Sequence, residues 1–440
     1  MLVFGKKKSA RGALRASFLA GATVVALGIG GLNAGSASAA LECNGNSITG
    51  QGASLQKVIQ QEVWKPGFEG GVCNKGTFPT ITYNSTGSGG GLKEWNHDGK
   101  KGSLNTGLAW ISTDDAPTAE QITNITSVAG GASLLTIPVV QTAISIIANP
   151  PEGCEIEKIT NLDLEAVFRG SYLTWSKIPT ASGACNSPIT RVVRKDGSGT
   201  TYQFKNYLSK INKGGLPCTT GGTEGKASWK ELEPITNGET GAPNTTWPES
   251  CVGKTLSTLL KPAANGNGEV VKTVNATVGS IAYTALPDAK AGGAPVILAV
   301  QNNGQKVEGA TFGEAEAEGQ TANCSQASYE VPANARNVFG STALNVDWSK
   351  VFGANPGIGG SGYPICTITY ALSFKGYKAA GFAFKNYVTV HDYLKEYVVA
   401  AAGQEAAKTS GKYFAPLPTA EKPRFDVLGA AQFAASKMSY

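Results

Sequence analysis

Histidine is scarce in this sequence: His97 and His391 are the only two among 440 residues. Neither lies in a motif that also carries a candidate nucleophile, which disfavours a Ser–His hydrolase. The sequence also lacks a Cys-x-x-Cys pair, and its eight cysteines lie tens of residues apart, unlike the closely spaced ligands of a zinc site. We therefore expect no metal site and no cofactor.

Charge is also limited, since charged residues make up only 16% of a chain that is 41% hydrophobic. That balance is typical of a folded globular protein, and the length suggests two or three domains. The formal charge is +6, but five positive and no negative charges lie in the first forty residues, which leaves +1 for the rest (6 − 5). A nearly neutral chain argues against nucleic acid as a partner.

The apolar run near the N-terminus is short for a membrane anchor, which is the alternative to a signal peptide there. A short apolar stretch, Phe18 to Leu32, follows five basic residues and precedes Ala37-Ser38-Ala39. This order predicts a signal peptide over residues 1–40 with an A-x-A cleavage site. No cysteine follows the apolar stretch directly, so no lipoprotein signal is present. We expect export to the periplasm or to the extracellular, cell-surface space.

An even number of cysteines in an exported chain predicts disulfide bonds. Eight cysteines allow 105 connectivities, and pairing between neighbours along the chain is the simplest of them. The candidate pairs are Cys43–Cys73, Cys154–Cys185, Cys218–Cys251 and Cys324–Cys366.

The stretch from Ile189 to Lys210, ITRVVRKDGSGTTYQFKNYLSK, predicts a strand, a turn and a helix in that order. Its first part is rich in Ile, Val and Thr, as strands are. From Phe204 onward, apolar residues recur at i, i+3, i+4 and i+7, which is one face of a helix. Between the two parts, residues 196–201 consist of Asp196 followed by glycine and hydroxyl residues.

A turn of this kind at the start of a helix is suited to binding an anion. The first N–H groups of a helix have no partner within it and lie at the positive end of its dipole. Arg194, just before the turn, adds a planar fork of donors that suits a tetrahedral oxyanion. The alternative is that Ser198 is a simple N-cap and the glycines only shape the turn.

Three earlier segments repeat the order of strand, turn and helix start. Their strands are predicted at 47–49, 80–83 and 108–111. Ser54 is placed to cap the helix after the first strand, and a Gly/Ser run at 85–91 follows the second. Asp114 and Asp115 follow the third, with Pro117 at the expected first helical position. Asp115 is most simply an N-cap; the other interpretation is a carboxylate facing a pocket formed by several helix N-termini.

The rest of the chain also alternates strands with helices, which indicates an α/β protein. The continuous apolar run from Thr136 to Ala148 predicts buried strands of a parallel sheet. A Gly-, Pro- and Asn-rich excursion is expected at 214–267. Further strands are predicted at 280–283, 295–300 and 364–372, and helices at about 161–170, 380–402 and 425–435.

These motifs resemble those of the periplasmic phosphate-binding proteins of ABC importers, the PstS family. The resemblance is carried by ITGQGAS, YNSTGSGGGLKEW, STDDAPT, RKDGSGTTYQFKNYL, GSIAYTAL, YPICTITYAL and YFAPLPTAEKPRFDVLGAAQF. It implies an α/β, two-lobed type II periplasmic-binding-protein fold, in which each lobe is a mostly parallel sheet flanked by helices and the ligand lies between the lobes. The implied lobes are 41–135 plus 363–440, and 136–362.

The resemblance also implies a ligand set. The implied phosphate contacts are Ser54, the Leu55 backbone, Ser88, Asp115, Arg194, Ser198, Gly199 and Thr200. Asp196 is placed to pair with Arg194 and hold its guanidinium. Two departures from the family pattern stand out, because Leu55 replaces a common aromatic residue and Asp114 adds a second carboxylate where serine is frequent.

The function implied by the resemblance is capture of inorganic phosphate by a monomer and its delivery to an ABC permease. On this interpretation the protein is not an enzyme. Two alternatives stay open. One is a secreted phosphate scavenger or sensor without a dedicated permease. The other is a secreted hydrolase with Ser198 or Ser88 as nucleophile, which the scarcity of histidine disfavours.

Overall fold

The computed structural model of this chain describes residues 41, 43–73, 78–212, 216–220, 223–227, 229, 245–247, 260–263, 265–327, 329, 347–351, 353–419 and 426–440. The predicted signal peptide and Cys251 lie outside these residues, as does much of the predicted excursion at 214–267. The predictions for those parts are therefore not tested by the structure.

A large mixed β-sheet forms the centre of the described part of the chain. The strands are β1 Ile48–Gly52, β2 Ile81–Ser85, β3 Trp110–Thr113, β4 Ser133–Asn149, β5 Cys154–Glu155, β6 Lys158–Ile159, β7 Ser182–Gly183, β8 Thr190–Val193, β9 Leu216–Thr220, β10 Thr223–Ala227, β11 Leu260–Pro262, β12 Ser280–Ala285, β13 Val296–Gln301, β14 Phe312–Gly313, β15 Glu316–Ala317, β16 Thr321–Ala322, β17 Cys366–Lys375 and β18 Phe414–Ala415. Twelve of them join in one sheet, whose main path is β11–β8–β12–β4–β17–β3–β1–β2.

Nine α-helices surround the sheet in the described ranges. They are α1 Ser88–Glu94, α2 Ala119–Ser127, α3 Asn161–Arg169, α4 Gly199–Ile211, α5 Asn267–Asn275, α6 Leu286–Ala291, α7 Phe384–Tyr393, α8 Ala401–Thr409 and α9 Val427–Ala435. The single helix predicted at 380–402 is interrupted: π-helical turns at Leu394–Val398 continue α7, and the extended backbone of Ala400, with ψ at 168°, then separates them from α8. None of these helices has the length and apolar character needed to cross a membrane.

The longest strand, β4, corrects one prediction. It pairs antiparallel with β17 along its first part and with β12 along its second. The apolar run from Thr136 to Ala148 therefore belongs to one antiparallel strand, and the prediction of parallel strands there was wrong. Burial on both faces produces such a run, whereas strand direction depends on the connections between strands. Parallel pairing occurs on either side, where β1 joins β2 and β3, and β8 joins β11 and β12.

The hydrophobic core divides between the two ends of the sheet. One cluster packs around β1 to β3 and includes Trp110 and Tyr393, whose ring centroids are 5.4 Å apart. A second cluster packs around β8 and β12 and includes Phe204 and Tyr283, which stack at 4.6 Å. The lobe boundaries implied by the resemblance stay a prediction.

Three of the four candidate disulfides are confirmed. The bonds join Cys43 to Cys73, Cys154 to Cys185, and Cys324 to Cys366. The fourth pair, Cys218–Cys251, lies outside the residues whose side chains are described.

Candidate functional site

The carboxyl ends of three parallel strands meet at one edge of the sheet. The backbone N–H of Ala53, after β1, donates to the carbonyl of Ser112 in β3 at 2.8 Å. The N–H of Thr86, after β2, donates to the carbonyl of Gly52 at 3.0 Å. These bonds hold three loops side by side. The predicted site residues on them are Ser54, Ser88 and Asp115, all buried.

The first of these loops differs from its prediction. The helical segment begins at Ser54 itself and follows Ala53, which forms no side-chain cap. The prediction that Ser54 caps the helix was therefore wrong. Its hydroxyl is buried and has no hydrogen-bond partner among the described residues. The Leu55 side chain lies in the core cluster around β1, so only its backbone can face a ligand.

A second set of residues comes from the loop between β8 and α4. The predicted order of strand, turn and helix is confirmed, and Ser198 is the N-cap, accepting from the Thr201 N–H at 3.2 Å. Gly199 brings this loop against the first set. A Cβ atom there would lie 2.5 Å from Oδ1 of Asp115 and 2.7 Å from Oγ of Ser88. Only glycine leaves room for both side chains.

Arg194 is held rigidly inside this cluster, with 3% of its surface exposed. Its Nε and Nη2 donate to the two carboxylate oxygens of Asp196 at 2.6 and 2.5 Å, which confirms the predicted pairing. Its Nη1 donates to Oδ1 of Asn267 at 3.0 Å. A Cβ on Gly87, just before α1, would lie 3.5 Å from Nη2. The guanidinium therefore sits against the loop that carries Ser88.

Asn267 was missed by the sequence analysis. It is the first residue of α5 and follows Gly266, whose φ is +94°. A signal was present, because a glycine and a polar residue there precede Val270, Val271 and Val274 at helical spacing. The Gly/Asn-rich composition around it instead suggested an irregular excursion.

Three buried polar atoms in this cluster lack a partner among the described residues. They are Oγ of Ser54, Oδ2 of Asp115 and Nδ2 of Asn267. Buried polar groups are normally hydrogen-bonded, and each exception calls for an explanation. A hydroxyl and an amide can donate, whereas an ionised carboxylate can only accept. An anion that also carries a proton offers both the acceptors and the donor that these unpaired groups lack.

Asp115 is not an N-cap, so the simpler of the two interpretations drawn from the sequence is wrong. Helix α2 begins at Ala119, and its cap is Thr118, which exchanges hydrogen bonds with Gln121 in a capping box. Pro117 accordingly precedes the helix. Oδ1 of Asp115 accepts from the Thr113 hydroxyl at 2.9 Å. Burial raises the pKa of Asp115 to about 7, against the lowering effect of the Thr113 hydrogen bond.

Asp114 is buried beside it, and each of its carboxylate oxygens lies within hydrogen-bond distance of a hydroxyl, although the Thr369 hydroxyl also reaches the Thr113 carbonyl at 3.1 Å. Its Oδ1 accepts from the Thr369 hydroxyl at 3.0 Å, and its Oδ2 accepts from the Thr200 hydroxyl at 3.1 Å. Burial raises the pKa of Asp114 to about 6, although both hydrogen bonds and the charge of Arg194 lower it. Thr369 lies on β17, far away in sequence, and no local pattern pointed to it.

The structure therefore brings the predicted side chains into one buried cluster. Within the described ranges, no group of three or more His, Cys, Asp or Glu residues could hold a metal ion. His391 lies elsewhere, on α7, with Asp392 and Lys395 beside it. What the cluster offers is a fixed guanidinium, several hydroxyl and amide donors, and two carboxylates of raised pKa.

The chain is similar to a known protein family and to several known proteins. A family model described as a PBP superfamily domain matches residues 37–392. The phosphate-binding protein PstS of Pasteurella multocida is 29% identical over 184 residues, which cover 39% of this chain and 46% of that protein. The chain thus spans about half the length of that curated relative. The phosphate-binding protein PstS3 of Mycobacterium bovis is 24% identical over 307 residues, which cover 64% of this chain and 69% of that protein.

Among solved structures, a high-affinity periplasmic phosphate-binding protein (PfluDING) bound with phosphate is 23% identical. The superposition covers 85% of this chain and 91% of that one, with a TM-score of 0.57. This likeness shows the fold and confirms the expected α/β class. Since the family model spans well over half of the sequence, the chain belongs to the PBP superfamily.

Proposed function

We propose that this protein is an extracytoplasmic solute-binding protein that captures inorganic phosphate and delivers it to an ABC-type permease. The observation that carries the proposal is the buried cluster around Arg194, in which a guanidinium, unpartnered donors and an unpartnered carboxylate oxygen lie together. The names of the Pasteurella and Mycobacterium relatives support the choice of ligand. The predicted signal peptide supports an extracytoplasmic location, and a monomer suffices because one chain supplies every proposed contact.

The proposed donors bind a dehydrated anion through hydrogen bonds of different strength. Arg194 supplies charge-assisted hydrogen bonds, which are the stronger kind. Its orientation is fixed by Asp196 and Asn267, so little side-chain freedom is lost when a ligand binds. The remaining proposed donors are the side chains of Ser54, Ser88, Ser198 and Thr200 and the backbone N–H groups of Leu55 and Gly199.

Asp115 makes phosphate a better ligand than sulfate. Its unpartnered oxygen can accept a hydrogen bond but cannot donate one when ionised. Above the pKa of Asp115, about 7, phosphate carrying a proton can donate to the carboxylate, whereas fully deprotonated sulfate would face an unpaired buried carboxylate. Rejection of sulfate thus arises from a group that penalises the wrong ligand.

The test is calorimetric titration of the purified protein with phosphate and with sulfate. Tight, saturable binding of phosphate alone is expected, and absence of phosphate binding would overturn the proposal. Incubation with a chromogenic phosphate ester separates the hydrolase alternative, because turnover that is lost in either Ser198→Ala or Ser88→Ala would favour it. Growth of the host on limiting phosphate with and without its ABC-type phosphate permeases distinguishes uptake from scavenging or sensing.

A further inference from the structure

Asp114 occupies a position that the proposed phosphate contacts do not use. Both of its carboxylate oxygens already accept hydrogen bonds, from Thr369 and from Thr200. All three side chains are at least 99% buried. Gln56 in turn donates to the Thr369 hydroxyl at 2.6 Å, which fixes that threonine from the opposite side. The Thr200 hydroxyl thus supports the ionised form of Asp114, while the single proton of the Thr369 hydroxyl is shared between Asp114 and the Thr113 carbonyl, which lies 3.1 Å away.

Thr200 cannot serve Asp114 and phosphate in the same way at the same time. A hydroxyl has one proton to donate and two positions at which it can accept. If Thr200 gives its proton to phosphate, Oδ2 of Asp114 is left buried without a donor. Leaving a buried, ionised carboxylate oxygen without a donor costs free energy. A proton on Asp114 removes the conflict, because the carboxylic acid can donate to Oγ1 of Thr200 while Thr200 donates to phosphate.

We propose that Asp114 takes up a proton from solution when phosphate binds, and that Asp114 and Thr200 together form a donor relay to the ligand. The proposal rests on the proposed function. In atomic terms, an acid in solution (hydronium or the buffer acid) loses a proton, an O–H bond forms at Oδ2 of Asp114, and the Thr200 proton turns from Asp114 to a phosphate oxygen. Asp114 is then a residue that sets the pH dependence of phosphate binding.

The charges around the site favour this uptake. The carboxylates of Asp114, Asp115 and Asp196 and the guanidinium of Arg194 sum to −2 when all are ionised (−3 + 1). An incoming anion adds to that negative charge, and a proton on Asp114 offsets part of it. The charged and titratable groups that interact with Asp114 from its own loop and from the surrounding elements are Asp115, Arg194, Asp196, Asp288, Tyr83 and Tyr370.

The expected pH dependence follows from linkage. Burial already raises the pKa of Asp114 to about 6, although the hydrogen bonds from Thr369 and Thr200 lower it. Turning the Thr200 proton toward phosphate removes one of these lowering effects, so the pKa rises further in the complex. The complex then binds more protons than the free protein. Phosphate affinity should therefore rise as pH falls, by at most about tenfold per pH unit above the pKa of the free protein.

The experiment is calorimetric titration with inorganic phosphate in two buffers of different ionisation enthalpy, at pH 7.5. The dependence of the measured heat on the buffer gives the number of protons taken up. We expect Asp114→Asn to take up about one proton fewer than the wild type. Because the ligand's own titration is shared, it cancels in this difference. Removing the Asp114 charge also leaves Asp115 more ionised before binding, which would increase uptake and cannot mimic the expected loss.

Affinity measured against pH gives a second readout. The Asn side chain can donate to Thr200 permanently, so it imitates the protonated acid. At pH 8, two units above a pKa of about 6, Asp114→Asn should bind phosphate up to about 100-fold more tightly than the wild type. At pH 5.5 the two proteins should agree within about threefold. A purely structural role for Asp114 would weaken binding at every pH.

Two further comparisons make the test specific. Asp288→Asn removes another buried aspartate whose pKa is raised to about 7, and it should keep the wild-type proton uptake. Thr200→Val should lose the uptake and Thr200→Ser should keep it, which tests the relay even if Asp114→Asn fails to fold. Equal uptake in the wild type and Asp114→Asn, or loss of uptake in Asp288→Asn alone, overturns the inference while the proposed function stands. Failure of the wild type to bind phosphate overturns the proposed function itself.

Discussion

The two walls of the site are built on opposite principles. The first wall, formed by the loops after β1, β2 and β3, carries Ser54, Ser88 and the carboxylates of Asp114 and Asp115. The second wall, formed by residues 194–200 and Asn267, carries a guanidinium locked by Asp196 and Asn267. We infer that the second wall attracts an anion and the first wall selects which anion is accepted.

The difference also concerns how each wall meets its hydrogen-bonding needs. On the second wall, the charged groups satisfy one another before a ligand arrives, although Nδ2 of Asn267 has no partner among the described residues. On the first wall, Oδ2 of Asp115 and Oγ of Ser54 are buried without partners among the described residues. Preorganised attraction reduces the entropy lost on binding. Unsatisfied groups make binding depend on what the ligand can donate or accept.

Removing the charged donor of the second wall should have the largest effect on phosphate affinity. Arg194→Ala removes the fixed guanidinium, and each charge-assisted hydrogen bond is worth about 1.5–3 kcal/mol. Phosphate affinity should fall at least tenfold by calorimetry. Lys195→Ala removes an exposed basic side chain next in the sequence and should leave the affinity within about twofold. If both variants bind as the wild type does, attraction does not come from this wall.

Altering the first wall should change selectivity more than affinity. Asp115→Asn replaces an acceptor oxygen with an amide that can also donate, so sulfate is no longer rejected. We expect phosphate affinity to change by less than about tenfold, while sulfate begins to displace bound phosphate in a competition titration. Equal and negligible sulfate competition in the wild type and the variant would contradict the selecting role of Asp115. Capping cannot explain an effect, since Thr118 caps α2.

The first wall should also make the stability of the ligand-free protein depend on pH. Burial raises the pKa of Asp115 to about 7 and that of Asp114 to about 6, above the ordinary value of 3.8. Between about pH 4 and 7 the folded state therefore binds more protons than the unfolded state. Stability falls as pH rises through this window and levels off above it.

The measurement is urea unfolding at pH 5 and pH 8. The wild type should unfold at lower urea concentration at pH 8, and Asp115→Asn should show a smaller difference between the two pH values. Glu120→Gln, an exposed substitution on α2, should keep the wild-type difference. A wild type that is equally stable at both pH values, or more stable at pH 8, would show that these carboxylates are not the dominant groups.

The second wall was also the more predictable one from the sequence. Residues 194–200 are consecutive, so their strand, turn and helix start could be inferred from local pattern alone. The pairing of Arg194 with Asp196 needed only a two-residue separation. The first wall is assembled from three loops, and its details depend on contacts that no local pattern contains. The partner of Asp114 on β17, Thr369, is 255 residues away.

The errors in the predicted fold also arise from contacts and backbone geometry that no local sequence pattern contains. The apolar run in β4 showed that the strand is buried, but its antiparallel direction depends on β12 and β17. The caps of the helices depend on one or two residues of backbone geometry, which explains why Ser54 and Pro117 were misplaced. Asn267 was hidden because glycine- and asparagine-rich segments are typical both of loops and of helix starts.

The smallest effect on phosphate affinity should come from the disulfides, which offer a matched pair of perturbations. Cys43–Cys73 and Cys154–Cys185 close loops of nearly equal length, with sequence separations of 30 and 31 residues. In the loop-entropy description, each should stabilise the fold by about 3–4 kcal/mol. Replacing both cysteines of either bond with serine should therefore lower unfolding stability to a similar extent.

The first loop contains Ser54, whereas the second contains none of the proposed phosphate contacts. We expect calorimetry to show a few-fold loss of phosphate affinity in the Cys43→Ser/Cys73→Ser protein and less than a twofold change in the Cys154→Ser/Cys185→Ser protein. Unchanged affinity in the Cys43→Ser/Cys73→Ser protein would mean that the first wall does not depend on its own disulfide for its geometry.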